Sequence, residues 1–309
     1  MSDPEITQET LESYTTEKRN ERSMDIDTKS TLEILAIIND EDKLVAPAVQ
    51  RALPAIAALV DSVVAAFRAG GRLVYVGAGT SGRLGVLDAS ECPPTYSTPP
   101  EMVQGLIAGG RDALTRSVEG AEDHPEQGVA DLKALGFSAK DVLVGITASG
   151  QAPYVLGAMQ WAQGLGAVVA ALSCNANSKT FEHAVHRIHL DVGPEVVTGS
   201  TRMKAGTAQK LALNMITTAS MIRLGKVFHN LMVDLRPVNR KLVARSRRII
   251  RQATGCSPEE AERAFEGSGR KPKTAIIMVL LGVDRARAEE LERRADGRIS
   301  AALQLGRAT

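Results

Sequence analysis

Residues 77–83 read Gly-Ala-Gly-Thr-Ser-Gly-Arg and residues 147–151 read Thr-Ala-Ser-Gly-Gln; each run follows a short β-branched stretch and sets hydroxyls beside glycine. The first matches G-x-G-x-x-G, which taken alone is a weak dinucleotide signal. A dinucleotide site also needs an acidic residue about 20 positions on to hold the ribose. That region is the proline-rich CPPTYSTPP, and the run after it ends in Ala108-Gly109-Gly110. No lysine follows the glycines, so the P-loop reading fails as well. Thr80 and Ser81 stand where a nucleotide loop keeps small apolar residues. Hydroxyls beside the unpaired amides of a helix N-terminus suit a phosphate monoester instead. Thr147, Ser149 and Gly150 repeat that chemistry, and loops at the carboxyl ends of neighbouring strands can converge on one ligand. Taken singly, each hydroxyl has a plainer role as a helix cap.

Carboxylates form the second group. The helix carrying GRLGVLDASE is expected to stop at Glu91, because Cys92 precedes Pro93-Pro94 and a residue before proline avoids helical geometry. At a helix C-terminus a carboxylate meets partial negative charge, which would raise its pKa and suit it to donate a proton. Asp88, one turn earlier, would add to this if ionised nearby. Glu119, Glu122, Asp123 and Glu126 make an acidic cluster whose ordinary reading is a solvated surface, and spacing does not choose among them. A third segment, Pro194-Glu195-Val196-Val197-Thr198-Gly199-Ser200-Thr201-Arg202, again sets small and hydroxyl residues before a helix and either contacts a sugar or supplies a cap through Ser200 or Thr201. His183, His186 and His189 run from a helix end into a strand at i, i+3 and i+6, so they are not expected to converge on a metal. Cys92, Cys174 and Cys256 stand singly and read as free thiols.

These residues need a scaffold. Apolar positions over residues 30–70 fall at helical spacing and end in a double glycine, giving a helical lead-in. Short apolar runs at 72–77, 103–108, 141–146, 166–173 and 187–191 then alternate with helical stretches, which calls for a parallel sheet between helices. A long helix is expected over 200–224, closing at Gly225. Beyond Val233 the pattern becomes a basic helix with two or three short helices after it, and Ser257 with Glu260 suggests a capping box. The expected division is 1–62 as the lead-in, 63–234 as the sheet domain and 235–309 as a small helical domain. Arg245, Arg247, Arg248 and Arg251 share a helix with Leu242, Val243, Ile249 and Ile250, so they read as the solvated face of a packed helix rather than a nucleic-acid patch.

The chain has 309 residues, 44% apolar, enough for a sizeable core. Its 37 Lys and Arg nearly balance 36 Asp and Glu, so overall charge points to neither nucleic acid nor membrane. The opening 25 residues are polar with no apolar leader, and no later apolar run is expected to span a membrane, which gives a cytoplasmic expectation.

Taken together, GAGTSGR, LDASECPPTY, GLIAGG, VEGAED, TASG, EVVTGSTRMKAGTAQKLALNM and GKVFHNLMVD resemble the N-acetylmuramic acid 6-phosphate etherases of bacterial wall recycling, from residue 30 to the C-terminus. The hydroxyl-bearing loops are shared by the whole sugar isomerase (SIS) fold, whereas LDASECPPTY and VEGAED are more specific to the etherases. The resemblance implies an α/β SIS fold, with N-terminal helices and a small C-terminal helical domain. It implies that Glu91 is the catalytic acid and Glu122 the second catalytic carboxylate, with exchange of their roles left open. It also implies phosphate binding by Ser81, Thr147 and Ser149, sugar contacts from Thr198-Gly199-Ser200, a homodimer, and no metal or nucleotide cofactor. His229 stands where the family carries a small residue such as glycine. The eukaryotic glucokinase regulatory protein is similar in its sheet domains, so fold alone does not establish catalysis.

The chemistry implied is cleavage of the lactyl ether at C3 of an open-chain sugar: one carboxylate lifts the C2 proton and a carboxylic acid protonates the departing oxygen. Two rivals share the phosphate loops. A non-catalytic sugar-phosphate sensor needs neither Glu91 nor Glu122, and an aldose–ketose isomerase would release no lactate.

Overall fold

The computed structural model describes residues 14–235, 237 and 239–308. The first thirteen residues of the polar opening, on which the leader-free reading partly rests, lie outside them. The chain groups into two compact units: the first runs to Ser90 and resumes over Glu101–Thr217, and the second comprises Glu91–Pro100 and the chain from Thr218.

Three short 3-10 turns, Thr15–Glu17, Glu21–Ser23 and Ile26–Thr28, open the first unit. Helix α1 (Thr31–Asp42) starts in a full capping box, Ser30 accepting from the Glu33 amide while Glu33 accepts from the Ser30 amide at 2.8 Å. Helix α2 (Val45–Arg68) buries Val49, Ile56, Leu59 and Val63 and packs on the sheet. Contrary to the expectation that no apolar run reaches membrane-spanning length, the stretch Thr31–Arg68 does so by length and composition. In the structure that apolarity serves α2 as a core helix.

Five strands follow: β1 (Leu73–Gly77), β2 (Val103–Ile107), β3 (Val142–Ile146), β4 (Val168–Ser173) and β5 (His186–His189). They form one parallel sheet in the order β2-β1-β3-β4-β5. Central β1 and β3 are buried throughout because both faces are covered, which is why they read as unbroken apolar runs rather than alternating ones. On one face Val74, Val76, Leu143, Val169 and Ala171 pack with Tyr154, Val155, Ala158 and Met159 of α5 (Pro153–Gly164). On the other, Tyr75 lies against Gly85 of α3 (Gly79–Tyr96), and its hydroxyl donates to Asp88 at 3.0 Å. Asp88 also accepts from Asn214 and Thr217 of α6 (Lys204–Arg223), so it ties β1, α3 and α6 together. Helix α4 (Pro125–Ala134) packs beside α5.

The second unit contains the hairpin β6 (Val227–Phe228) and β7 (Leu231–Met232). Its helices are α7 (Arg240–Thr254), α8 (Pro258–Gly267), α9 (Pro272–Leu281), α10 (Arg285–Arg294) and α11 (Ile299–Arg307). Among the described residues four helices follow the basic one, not two or three, because Gly282 in left-handed geometry and the Asp284 cap split the apolar stretch from the charged one. Ile249, Ile250, Phe265, Ile276, Ile277 and Leu291 fill the core. Ser257 caps α8 by accepting from the Glu260 amide at 3.2 Å. In α7, Arg247 pairs with Glu262 at 2.6 Å and lies over the Phe265 ring, while Ile249 and Ile250 are buried, which is the packed-helix arrangement.

Candidate functional site

Gly77 at the end of β1 and Ile146 at the end of β3 are register partners, so the two hydroxyl-bearing loops leave the sheet side by side at the carboxyl ends of adjacent strands. The chain passes from β1 to β2 on one side, while β3 lies on the other. That reversal is the switch point where open α/β sheets bind ligands. The first loop is tight: a Cβ on Gly77 would lie 2.7 Å from the Gly82 nitrogen, and one on Gly82 would lie 2.6 Å from Ile107 Cγ1. Both glycines permit the turn from strand to helix. Thr80 is half-buried, and its methyl faces Gly206 of α6. Ser81 is buried and donates to Gln209 Oε1 at 3.0 Å.

In the second loop, Thr147 Oγ1 accepts from the Gly150 amide at 3.2 Å and Ser149 Oγ accepts from the Gln151 amide at 3.3 Å. The N-cap of α5 is Ala152, which has no side-chain cap. Thr147 and Ser149 therefore shape the loop and are not the caps of α5. Gly150 has φ +79°, and Ser178 occupies the space a Cβ would need. Asn175, after β4, anchors this loop by donating from Nδ2 to Ser149 O at 2.9 Å and to Thr16 Oγ1 at 3.2 Å, while its Oδ1 accepts from the Thr16 amide at 3.3 Å. The N-terminal turns thus reach the second loop through one buried amide.

They hold the third segment too. Asn20 donates to Pro194 O at 3.2 Å and Ser23 to Val196 O at 2.8 Å. Thr198 and Gly199 are exposed and Ser200 half-buried, with Gly199 at φ +79°. The expected cap by Ser200 or Thr201 is not found. Helix α6 begins only at Lys204, and its Lys204 and Ala205 amides donate to the Glu195 carboxylate at 3.0 and 2.9 Å. Burial pushes the Glu195 carboxyl up, and these backbone bonds, with the positive charge of Lys204, oppose the rise. Lys204 Nζ is itself buried against Glu41 at 2.5 Å, and Arg22 binds the other Glu41 oxygen at 2.6 Å. Sequence reasoning missed Glu195 as a cap because it lies nine residues upstream, outside any local pattern.

Geometry narrows the acidic cluster to Glu119 and Glu122, which line one cavity. Ala78, Gly79 and Arg83 of the first loop share a cavity of about 150 Å³ with Ser117, Glu119 and Glu122. Arg83 donates to the carbonyls of Leu114 at 3.3 Å and Arg116 at 3.0 Å, which holds the approach to the 117–122 segment against α3. Glu122 is raised above the ordinary carboxylate range, first by burial of its carboxyl and then by repulsion from Asp123 and Glu119. Glu126 instead points to His124 at 3.1 Å on an exposed turn.

Glu91 departs from expectation. Helix α3 does not stop there but continues through Pro93 and Pro94 to Tyr96. The pre-proline preference is a bias that tertiary packing overrides here, with Cys92 buried at 2% exposure. Glu91 is exposed and more than one turn from the helix end, so the C-terminal field that motivated its acid role does not reach it.

The histidines go separate ways: His183 to Gln163 at 3.1 Å, His186 to Ser62 at 2.9 Å, and His189 edge-on to Phe181. Among the described residues no group of three or more His, Cys, Asp or Glu gathers to hold a metal ion. His229, in the hairpin turn, has φ +51° and stacks on Phe228 at 4.1 Å between centroids. Left-handed backbone is the physical reason a glycine suits that position.

Comparison with known proteins bears on the family and the fold. Residues 55–163 match the family described as glucokinase regulatory protein N-terminal SIS domain. An N-acetylmuramic acid 6-phosphate etherase from Photorhabdus laumondii is 57% identical over 93% of this chain and 95% of its own length. The etherase from Photobacterium profundum is 57% identical over 96% and 99%, and that from Brucella anthropi is 53% identical over 96% and 97%. Identity at that level across nearly the whole of both chains places this chain in the N-acetylmuramic acid 6-phosphate etherase family.

Proposed function

We propose that the chain removes D-lactate from N-acetylmuramic acid 6-phosphate by elimination and water addition, leaving N-acetylglucosamine 6-phosphate. Family membership supports the reaction. The observation that carries the site is that Glu122 lines one cavity with Ala78, Gly79 and Arg83 of the segment that follows β1. At about 150 Å³ that cavity is smaller than a whole-ligand pocket, so it takes only part of a sugar phosphate.

The substrate's chemistry assigns the tasks. A C2 proton is acidic only when C1 is an open-chain aldehyde, so ring opening precedes elimination. Glu122 takes the C2 proton; its raised pKa makes the ionised carboxylate a stronger base than an ordinary glutamate. Glu91 protonates the departing lactate oxygen and, once ionised, activates the water that adds at C3. Each transfer is worth about 10²–10⁴-fold. Thr80, Ser81, Thr147, Ser149 and Gly150 hold the phosphate, and Thr198, Gly199 and Ser200 contact the sugar; this remote binding energy orients C2 and C3. No metal or nucleotide enters any step. The same resemblance supports a homodimer in the cytoplasm, and light scattering in solution tests the assembly.

The purified protein incubated with N-acetylmuramic acid 6-phosphate is expected to release lactate, while Glu91→Gln and Glu122→Gln release at least a hundredfold less. Sugar conversion without lactate would replace this reading with an isomerase, and tight binding without turnover with a sensor.

A further inference from the structure

Gln209 lies on the face of α6 that buries Ala205, Ala208, Ala212 and Leu213, and is 1% exposed. Its Oε1 accepts the Ser81 proton at 3.0 Å, whereas its Nε2 is buried with no partner among the described residues. A serine hydroxyl has one proton and two lone pairs. In this arrangement that proton is committed to Gln209, so Ser81 has none to give an anion. Half a turn of the terminal amide exchanges its oxygen and nitrogen with little movement of other atoms. Nε2 then donates to Ser81 Oγ, which frees the hydroxyl proton and gives the orphaned donor a partner.

We propose that Gln209 is the positioning residue for Ser81: with a phosphate dianion in the first loop, Nε2 donates to Ser81 Oγ and the hydroxyl proton points to the phosphate. This rests on the reading that Ser81 binds the substrate phosphate. It also accounts for a buried polar side chain flanked by Ala205, Ala208, Ala212 and Leu213. A glutamate of the same size would only accept while ionised, would keep the Ser81 proton, and would place negative charge one hydroxyl away from a dianion. A methionine would fill the space and leave the hydroxyl unoriented.

The test is steady-state kinetics of the full-length protein with the phosphorylated sugar, together with the inhibition constant of inorganic phosphate. Ser81→Ala is expected to raise KM about 10–100-fold, the worth of one charge-assisted bond. Gln209→Glu is expected to raise KM at least tenfold and Gln209→Met about fivefold, with kcat within threefold of native and the phosphate constant rising in parallel. Gln209→Met added to Ser81→Ala is expected to raise KM less than twofold further, because a positioning residue has nothing left to orient. Loss of packing alone would instead multiply the two effects. Native-like KM in Gln209→Glu, or independent effects in the double variant, overturns the role of Gln209. If Ser81→Ala itself leaves KM and phosphate inhibition unchanged, the phosphate reading of the loop falls first. Should the buried carboxylate prevent folding, the methionine variant and its double carry the test alone.

Discussion

Replacing Asn175 with alanine separates a loop that is held from one that is merely present. Asn175 is 2% exposed and its partner Thr16 is 1% exposed. Truncation removes the bonds from Nδ2 to Ser149 O and Thr16 Oγ1 and the bond from the Thr16 amide to Oδ1. At about 0.5–1.5 kcal/mol net per bond, with buried partners left unsatisfied, the loss is about 2–4 kcal/mol. For a unit of this size, about 2–4 °C per kcal/mol gives a fall in Tm of about 4–16 °C. Function should suffer separately, because Ser149 O is the point at which the second hydroxyl loop, proposed to hold the phosphate, is anchored. Loosening it by about 1 kcal/mol raises KM about fivefold. Asn175→Asp keeps the acceptor for the Thr16 amide but sets a buried carboxylate oxygen against Ser149 O, so its KM should rise and its Tm fall at least as far as in the alanine variant. Calorimetry and lactate-release kinetics on the same samples check both parts. A Tm within 1 °C of native with unchanged KM in the alanine variant would refute the reasoning.

Ser149→Ala, which removes the proposed donor to the dianion and the acceptor for the Gln151 amide, is expected to raise KM by about tenfold or more; unchanged KM would move the phosphate elsewhere. Glu122 must be ionised to act as a base, so kcat/KM should fall as pH drops through its raised pKa, with the acid limb above the ordinary 4.5. Asp123→Asn removes a repulsive neighbour and should move that limb to lower pH; movement upward, or none, would reject the assignment. At Asp141, burial alone would raise the pKa, but hydrogen bonds from Arg72 and the Ser138 amide, with the Arg72 charge, hold it below 3.8. The stability it contributes is therefore present above 3.8 and lost as pH falls through the lower folded-state value. Asp141→Asn should cost about 2–4 kcal/mol at neutral pH, narrowing under acid, and denaturant titration at several pH values checks both.

Elements with strong local periodicity were legible in the sequence. All five strands appear near the expected positions, because buried parallel strands are continuous apolar runs bounded by glycine or polar turns. The hydroxyl loops were legible for the same reason: each follows a strand and precedes a helix. The end of α3 was not, since Pro93 and Pro94 signal a stop locally while the packing of Cys92 is a tertiary fact. That Glu119 and Glu122 line a cavity with Gly79 was not legible either, because only the fold brings 117–122 there. Asn175 and Glu195 act on loops 26 and 9 residues distant, which no local pattern discloses. Gln209 left a trace, a polar side chain among the alanines and leucines of an apolar helix face, which is the signature of a buried partner.

The central claim is that a base at C2 and an acid at the C3 oxygen carry out an elimination. Running the reaction in deuterated, oxygen-18-labelled water tests it most directly. Product N-acetylglucosamine 6-phosphate should carry deuterium at C2, because the carboxylic acid formed on Glu122 exchanges with solvent before returning a proton. It should carry the heavy oxygen at C3, because elimination breaks the bond between C3 and the ether oxygen. Glu122→Gln should suppress C2 exchange, while Glu91→Gln should retain exchange and block lactate departure. The reverse pattern would swap the two roles; product bearing neither label would contradict the mechanism, since attack on the lactyl carbon leaves both the C2 proton and the sugar oxygen in place.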